Sequence, residues 1–226
     1  MSSGPASIGV IMDGNRRWAR ERGLPTLEGH RRGYEKVEEL LTWCRAEGVD
    51  EVILYAFSTE NWSRSPEEVS YLMVLFEDAL PDVCERLART GVRIRFVGER
   101  KRFSPGLREK MRELEEKSAE GAEGTLALAL SYGGRPEILA AVNRLLSEGR
   151  AHADEASFVE AMWSAGLRDP DLIIRTGGER RLSNFLPWQS VYSELFFTDT
   201  KWPDFGEEEF GAILADFRAR ERRRGK

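Results

Sequence analysis

Apolar positions along the chain fall into two rhythms. Short runs of strand length, SIGVIM (7–12), EVILYAF (51–57), VRIRFVG (92–98), TLALALS (125–131), DLIIR (171–175) and SELFF (193–197), alternate with stretches whose apolar residues recur every three or four positions. Runs that are apolar almost throughout suit strands covered on both faces. Their alternation with helical patterns predicts one α/β domain over residues 1–226, a mostly parallel six-stranded sheet flanked by helices. Residues 1–7 are expected to be flexible, and 218–226 to form a basic tail.

The helical stretches are well marked. GHRRGYEKVEELLTWCRAEG sets Tyr34, Val37, Leu40, Leu41 and Cys44 on one face, with Gly48 available for a left-handed terminus. A second helix opens at Ser65 with Pro66 at its first position and Glu68 placed for a capping box; it then runs through Val69, Leu72, Met73, Phe76 and Leu80. Val74 and Leu75 lie off that stripe, and Pro81 is expected to kink it. Such a helix fits deep burial or, as the sharper alternative, one wall of an apolar ligand cavity. The last helix carries Phe210, Ile213, Leu214 and Phe217 on one face and ends in the basic run, by default a solvated tail.

Charge and cysteine content narrow the function. With 226 residues and a net charge of −5, the chain is a poor candidate for a nucleic-acid binder, and its basic residues must act locally on a small anion. Two distant cysteines and two histidines give neither a disulfide framework nor a zinc site. No run approaches the ~18 apolar residues of a membrane span, so the expected location is cytoplasmic, at most peripheral to a membrane.

The polar residues gather after the strands: MDGNRRW, STENWSR, GERKR, YGGR and TGGERRLSN each follow an apolar run. In parallel sheets ligands bind outside the carboxyl ends of the strands. Arginine forks match phosphate oxygens, Gly-Gly pairs let backbone amides approach an anion, and a carboxylate beside phosphates is a usual Mg²⁺ ligand. Taken singly, Asp13-Gly14-Asn15 is as well read as a turn, Ser58-Thr59 as a cap, and Gly177-Gly178 as a left-handed turn; their repeated position favours a phosphate ester with a divalent cation. Walker, dinucleotide and serine-elbow motifs are absent from the sequence.

MDGNRRWA, GHRRG, FSTENWSR, YGGR and DLIIRTGGERRLSNFLPWQSVYSELFFTDTKWPDF, in that order from residue 8 onward, closely resemble the cis-prenyltransferase family, typified by undecaprenyl diphosphate synthase. The resemblance implies a homodimeric, Mg²⁺-dependent enzyme with an apolar tunnel for the growing chain. Such an enzyme adds isopentenyl diphosphate to an allylic diphosphate (farnesyl or geranylgeranyl) to give a medium- or long-chain cis-polyprenyl diphosphate, the precursor of a glycan or cell-wall carrier lipid. Membrane association would be through the product, and no nucleic-acid partner is implied.

Carried over by position, the resemblance makes Asp13 the catalytic carboxylate and metal ligand, assisted by Glu194. Gly14, Asn15, Arg16, Arg17, Trp18, His30, Phe57, Trp62 and Arg64 line the allylic site. Ser58 and Asn61 position the reacting groups, and Arg175, Arg181, Ser183, Arg223 and Gly225 hold isopentenyl diphosphate. For the final proton, Asp13, Asn61 with Ser58, and the diphosphate itself remain alternative acceptors. Thr26, Ser131 and Arg180 depart from the family's usual arginine, asparagine and histidine. Ala56, Gly124 to Ala129, Phe76 and Leu80 are the expected lining of the product cavity. Two other readings compete: a non-catalytic subunit that serves a partner enzyme, and a phosphatase or polyphosphate binder.

Overall fold

The computed structural model describes residues 4–220, apart from the side chains of Ala79, Leu80 and Val83; Arg223 and Gly225 lie outside the described residues. Six strands, β1 (Ser7–Ile11), β2 (Glu51–Ser58), β3 (Val92–Val97), β4 (Gly124–Tyr132), β5 (Leu172–Arg175) and β6 (Glu194–Phe197), form one parallel sheet in the order β3-β4-β2-β1-β5-β6. Every apolar run expected to be a strand is one. The chain steps to one side of β1 for β2 and to the other for β5, so the order reverses at β1, the position where open parallel sheets bind ligands.

Among the described residues there are seven α-helices, six between strands and the last after β6: α1 (Asn15–Glu21), α2 (Thr26–Ala46), α3 (Pro66–Arg89), α4 (Pro105–Lys117), α5 (Gly134–Ser147), α6 (Glu155–Ala161) and α7 (Glu207–Ala219). Helix α3 begins as its sequence predicts, with the Ser65 side chain accepting from the Glu68 amide and Pro66 at its first position. Glu68 itself turns to Arg64, so only half of the expected capping box forms. The helix continues through Pro81. Among the described residues no helix is long and apolar enough to cross a membrane.

Two compact units divide the chain. The first contains the described residues up to Leu54, Asp169–Leu182 and those from Gln189 on. Near its start the Ala6 and Ser7 amides donate to the Asp171 carboxylate. Helices α1 and α2 meet at Gly29 and Gly33, the two glycines of GHRRG. A Cβ at Gly29 would lie 2.1 Å from the Asn15 carbonyl oxygen, and one at Gly33 would lie 2.5 Å from Asn15 Oδ1, so only glycine permits this approach. Trp202, fully buried, donates its indole N–H to the Gly33 carbonyl at 2.6 Å and stacks on Phe205.

The second unit spans Tyr55–Arg168 and Ser183–Trp188. Its apolar strand β4 is buried from Leu126 to Tyr132, and Ala141, Leu145, Phe158, Ala161 and Met162 form a cluster where α5 meets α6. One carboxylate is fully buried here: Glu137 accepts the Tyr132 hydroxyl at 2.5 Å and the Ser164 amide at 2.8 Å. Burial, then the neighbouring Glu137, pushes the Tyr132 phenol far up, which keeps it a hydrogen-bond donor.

Candidate active site

In the first unit Asp13 stands just beyond the end of β1 and is fixed by its own backbone. Its amide donates to the Ile11 carbonyl, and its carbonyl accepts from the Trp202 amide (3.0 Å) and the Thr176 hydroxyl (2.8 Å). The carboxylate has three cationic or amide neighbours. Oδ1 accepts the Gly14 amide at 2.6 Å and lies 3.3 Å from Arg17 Nη2, and Oδ2 accepts Arg175 Nη2 at 2.9 Å. Arg175, 4 % exposed at the end of β5, also donates to the Arg181 carbonyl. Asp13 thereby neutralises a buried cation.

A carboxylate offers about four lone-pair sites; Asp13 accepts two hydrogen bonds, from Gly14 and Arg175, and forms a looser ion pair with Arg17. A hard oxygen donor with remaining capacity beside two arginines fits an ion such as Mg²⁺, which takes one or two carboxylates and completes its shell with water and substrate phosphate. Among the described residues no group of three His, Cys, Asp or Glu gathers as a preformed metal cage. The fit therefore rests on Asp13 and on oxygen atoms that a phosphate ligand would bring.

Glu194 does not join it within one chain. Parallel register pairs Glu194 with Leu172 at the amino end of the strands, whereas Phe197 pairs with Arg175 at the carboxyl end. Three residues of strand separate the two ends, about 10 Å at the usual rise. The Glu194 carboxylate instead pairs with Arg220 at 2.7 Å.

The glycine pair after β5 also differs from expectation. Gly177 and Gly178 have φ of 84° and 83°, but their amides donate to the carbonyls of Thr200 and Thr198, both at 2.8 Å, so they are not presented to an anion. Their role is spatial. A Cβ at Gly177 would fall 2.8 Å from Arg17 and 3.0 Å from the Asp13 backbone. Gly14, at φ 107°, caps α1 in the left-handed region and leaves no room for a Cβ beside Lys201.

The remaining first-unit candidates are spread around Asp13. Arg16 is exposed and His30 half-buried. Asn15 Oδ1 lies buried toward α2 without a hydrogen-bond partner, so this side chain packs the α1–α2 contact. Trp18 donates its indole N–H to Asp204 at 2.7 Å while Arg22 covers its ring and pairs with the same carboxylate. Arg181 is exposed and pairs with Glu179; Arg180 and Arg20 are exposed.

In the second unit, Ser58 and Asn61 close on one another. The Ser58 amide donates to Asn61 Oδ1 at 3.0 Å, and the Ser58 side chain accepts the Asn61 amide, so the pair caps the short 3₁₀ turn Thr59–Ser63. Trp62 donates to Ser131 Oγ at 2.9 Å, packs edge-on against Phe57 with centroids 5.0 Å apart, and lies beneath Arg102. The unusual Ser131 thus has a defined task as acceptor for Trp62. Phe57 also meets Phe76 of α3 edge-on, and Arg64 pairs with Glu68 at 2.9 Å. Ser183 is exposed, with φ of 49°. Asn184, the residue after it, bonds to two neighbouring loops and was not singled out by sequence; its signal was an Asn in a loop, a residue type that tolerates left-handed backbone.

Comparison with known proteins identifies the family. The family model described as "Putative undecaprenyl diphosphate synthase" matches residues 11–225. An isoprenyl transferase from Aquifex aeolicus is 46 % identical over 222 residues, covering 98 % of this chain and 96 % of the relative, and one from Chromobacterium violaceum is 46 % identical with 98 % and 88 % covered. Among solved structures, lavandulyl diphosphate synthase from Lavandula x intermedia, in complex with dimethylallyl diphosphate, superposes with a TM-score of 0.93 at 31 % identity over 99 % of both chains. A probable undecaprenyl diphosphate synthase from Campylobacter jejuni gives 0.82 at 33 % identity, with 98 % of this chain and 99 % of that one covered. With its parallel sheet, its carboxylate between two arginines and these relatives, the chain belongs to the undecaprenyl diphosphate synthase family and is a cis-prenyltransferase.

Proposed function

We propose that the chain condenses isopentenyl diphosphate with an allylic diphosphate, farnesyl or geranylgeranyl, in repeated cis additions that give a medium- or long-chain polyprenyl diphosphate. The observation that carries this reading is Asp13, held between Arg17 and Arg175 just beyond β1. Arg16 and Arg17 would hold the allylic diphosphate, and Arg175, Arg181 and Ser183 the isopentenyl diphosphate, with Asp13 as the Mg²⁺ ligand. When bound, the ion would supply charge stabilisation for the departing diphosphate. The arginine forks orient the phosphates and offset the charge that develops as the C–O bond breaks. By the family resemblance, Phe57 and Trp62 would supply the aromatic surface that keeps water from the allylic cation.

The same reading covers the finer expectations. A cavity lined by Ala56, Gly124 to Ala129 and Phe76 would receive the chain; the product would serve as a carrier-lipid precursor, and a cytoplasmic enzyme would touch the membrane through it. A homodimer is proposed on the family resemblance, supported by the edge strand β6 and the exposed Val191 and Tyr192 beside it. The single-domain reading of residues 1–226 and a diphosphate-binding role for Arg223 and Gly225 stand as proposals of the same kind.

Retention of Asp13 and its arginines disfavours a non-catalytic subunit, and the lack of an acidic cluster around Asp13 among the described residues disfavours a phosphatase. Purified protein incubated with labelled isopentenyl diphosphate, farnesyl diphosphate and Mg²⁺ should yield butanol-extractable label. A folded protein that yields none, or that releases inorganic phosphate, would overturn the proposal.

A further inference from the structure

The segment after Ser183 is strained. Ser183, Asn184 and Leu186 have φ of 49°, 68° and 48°, three non-glycine residues in the left-handed region within four positions. Such backbone persists only where its surroundings over-determine it. Phe185 is fully buried and stacks on Tyr55 with centroids 4.7 Å apart, and the Tyr55 hydroxyl faces the carbonyls of Tyr132 (3.2 Å) and Ser183 (3.3 Å). A Cβ on Gly134 would lie 1.9 Å from Pro187, and one on Gly133 would lie 2.6 Å from Thr59 Oγ1 and 2.7 Å from Asn184 Nδ2. The YGGR loop is thus shaped to receive this segment.

Asn184 uses both ends of its amide here. Its carbonyl accepts the Gly134 amide at 2.8 Å, Oδ1 accepts the Arg135 amide at 2.9 Å, and Nδ2 donates to Glu60 Oε1 at 3.0 Å. Glu60 sits inside the turn that Ser58 and Asn61 cap. One side chain therefore ties the segment carrying Ser183 to the YGGR loop and to the turn carrying Ser58 and Asn61.

We infer that Asn184 is a positioning residue for prenyl transfer, setting Ser183 and the Ser58–Asn61 turn for the isopentenyl substrate through its bonds to Arg135 and Glu60. This inference rests on the function proposed above. Glycine at position 184 would keep the left-handed backbone at no steric cost while removing the side-chain amide and both of its bonds.

The test is steady-state kinetics on Asn184→Gly, Glu60→Ala, Glu60→Gln and the Asn184→Gly/Glu60→Ala double variant, with melting temperatures alongside. Asn184→Gly should melt within a few degrees of wild type, raise the KM for isopentenyl diphosphate about 10-fold or more, and leave the Kd for the allylic diphosphate within about 2-fold. Glu60→Ala should show part of the same KM rise, Glu60→Gln should recover most of it, and the double variant should be no worse than Asn184→Gly. An active wild type with an Asn184→Gly KM unchanged, or with both substrates weakened equally alongside a large melting shift, overturns the inference alone. A folded wild type without transferase activity overturns the proposed function and the inference together.

Discussion

Arg175 and Asp13 bind each other end to end, Nη2 to Oδ2 at 2.9 Å, from a buried strand terminus to a partly exposed loop. The contact gives Asp13 a structural role beside the catalytic one proposed for it. Asp13→Ala should lower turnover roughly 100-fold or more, as expected for loss of an electrostatic element. It should also destabilise the fold by about 1–3 kcal/mol, because Arg175 loses an acceptor. Asp13→Asn keeps an acceptor for Arg175 but not its counter-charge, so it should melt between the wild type and Asp13→Ala and be as inactive as Asp13→Ala. Activity assays paired with thermal melts check both, and an Asp13→Ala protein with wild-type turnover would refute the assignment.

Chelation should separate activity from folding. With Asp13 already neutralised by Arg17 and Arg175, removing divalent ions by EDTA should abolish turnover yet move the melting temperature by no more than about 2 °C, well under one structural interaction. Recovery of activity on adding Mg²⁺ completes the test.

Glycines give opposite outcomes by position. Gly29→Ala drives a methyl group into the Asn15 carbonyl and should cost at least ~1–3 kcal/mol, a visible drop in melting temperature. Gly106 and Gly211 lie in helices, and a methyl group at either would meet nothing within 4 Å. Gly106→Ala and Gly211→Ala should therefore stabilise by about 0.5–1 kcal/mol.

Product length should respond to Ala56 and Gly124, both half-buried on β2 and β4. Ala56→Trp or Gly124→Trp should shorten the products resolved by reverse-phase chromatography. Unchanged lengths in both would remove these residues from the cavity.

Both cysteines should be silent in the folded protein. Burial pushes the Cys84 thiol up to about 12 and the Cys44 thiol still higher, so at pH 8 neither supplies appreciable thiolate. A disulfide-exchange reagent should titrate almost no thiol until guanidinium unfolds the chain, and then two. Rapid labelling of the native protein would contradict the burial.

The six strands were legible because fully covered strands read as apolar runs, and the start of α3 because Ser65 and Pro66 are local signals. Asp13 was marked as the polar residue immediately after such a run, whereas Arg175, the last residue of DLIIR, was singled out only by the family resemblance. What was hidden depends on partners distant in sequence. Nothing in TGGE indicates that Thr198 and Thr200 occupy both glycine amides. Likewise, SELFF identifies a strand but not which end faces Asp13, since register and direction decide where Glu194 falls. The bonds of Asn184 to Arg135 and Glu60 cross 49 and 124 positions.

Occupied amides at Gly177 and Gly178 change the character of anion recognition here. A rigid nest of backbone N–H groups would pin a phosphate to one spot, whereas guanidinium arms on rotatable stems can follow it. The repeated chain extension proposed above would ask for that compliance, since the headgroup that anchors one round becomes the departing group of the next. A grip made of side chains can travel with its cargo and then let go.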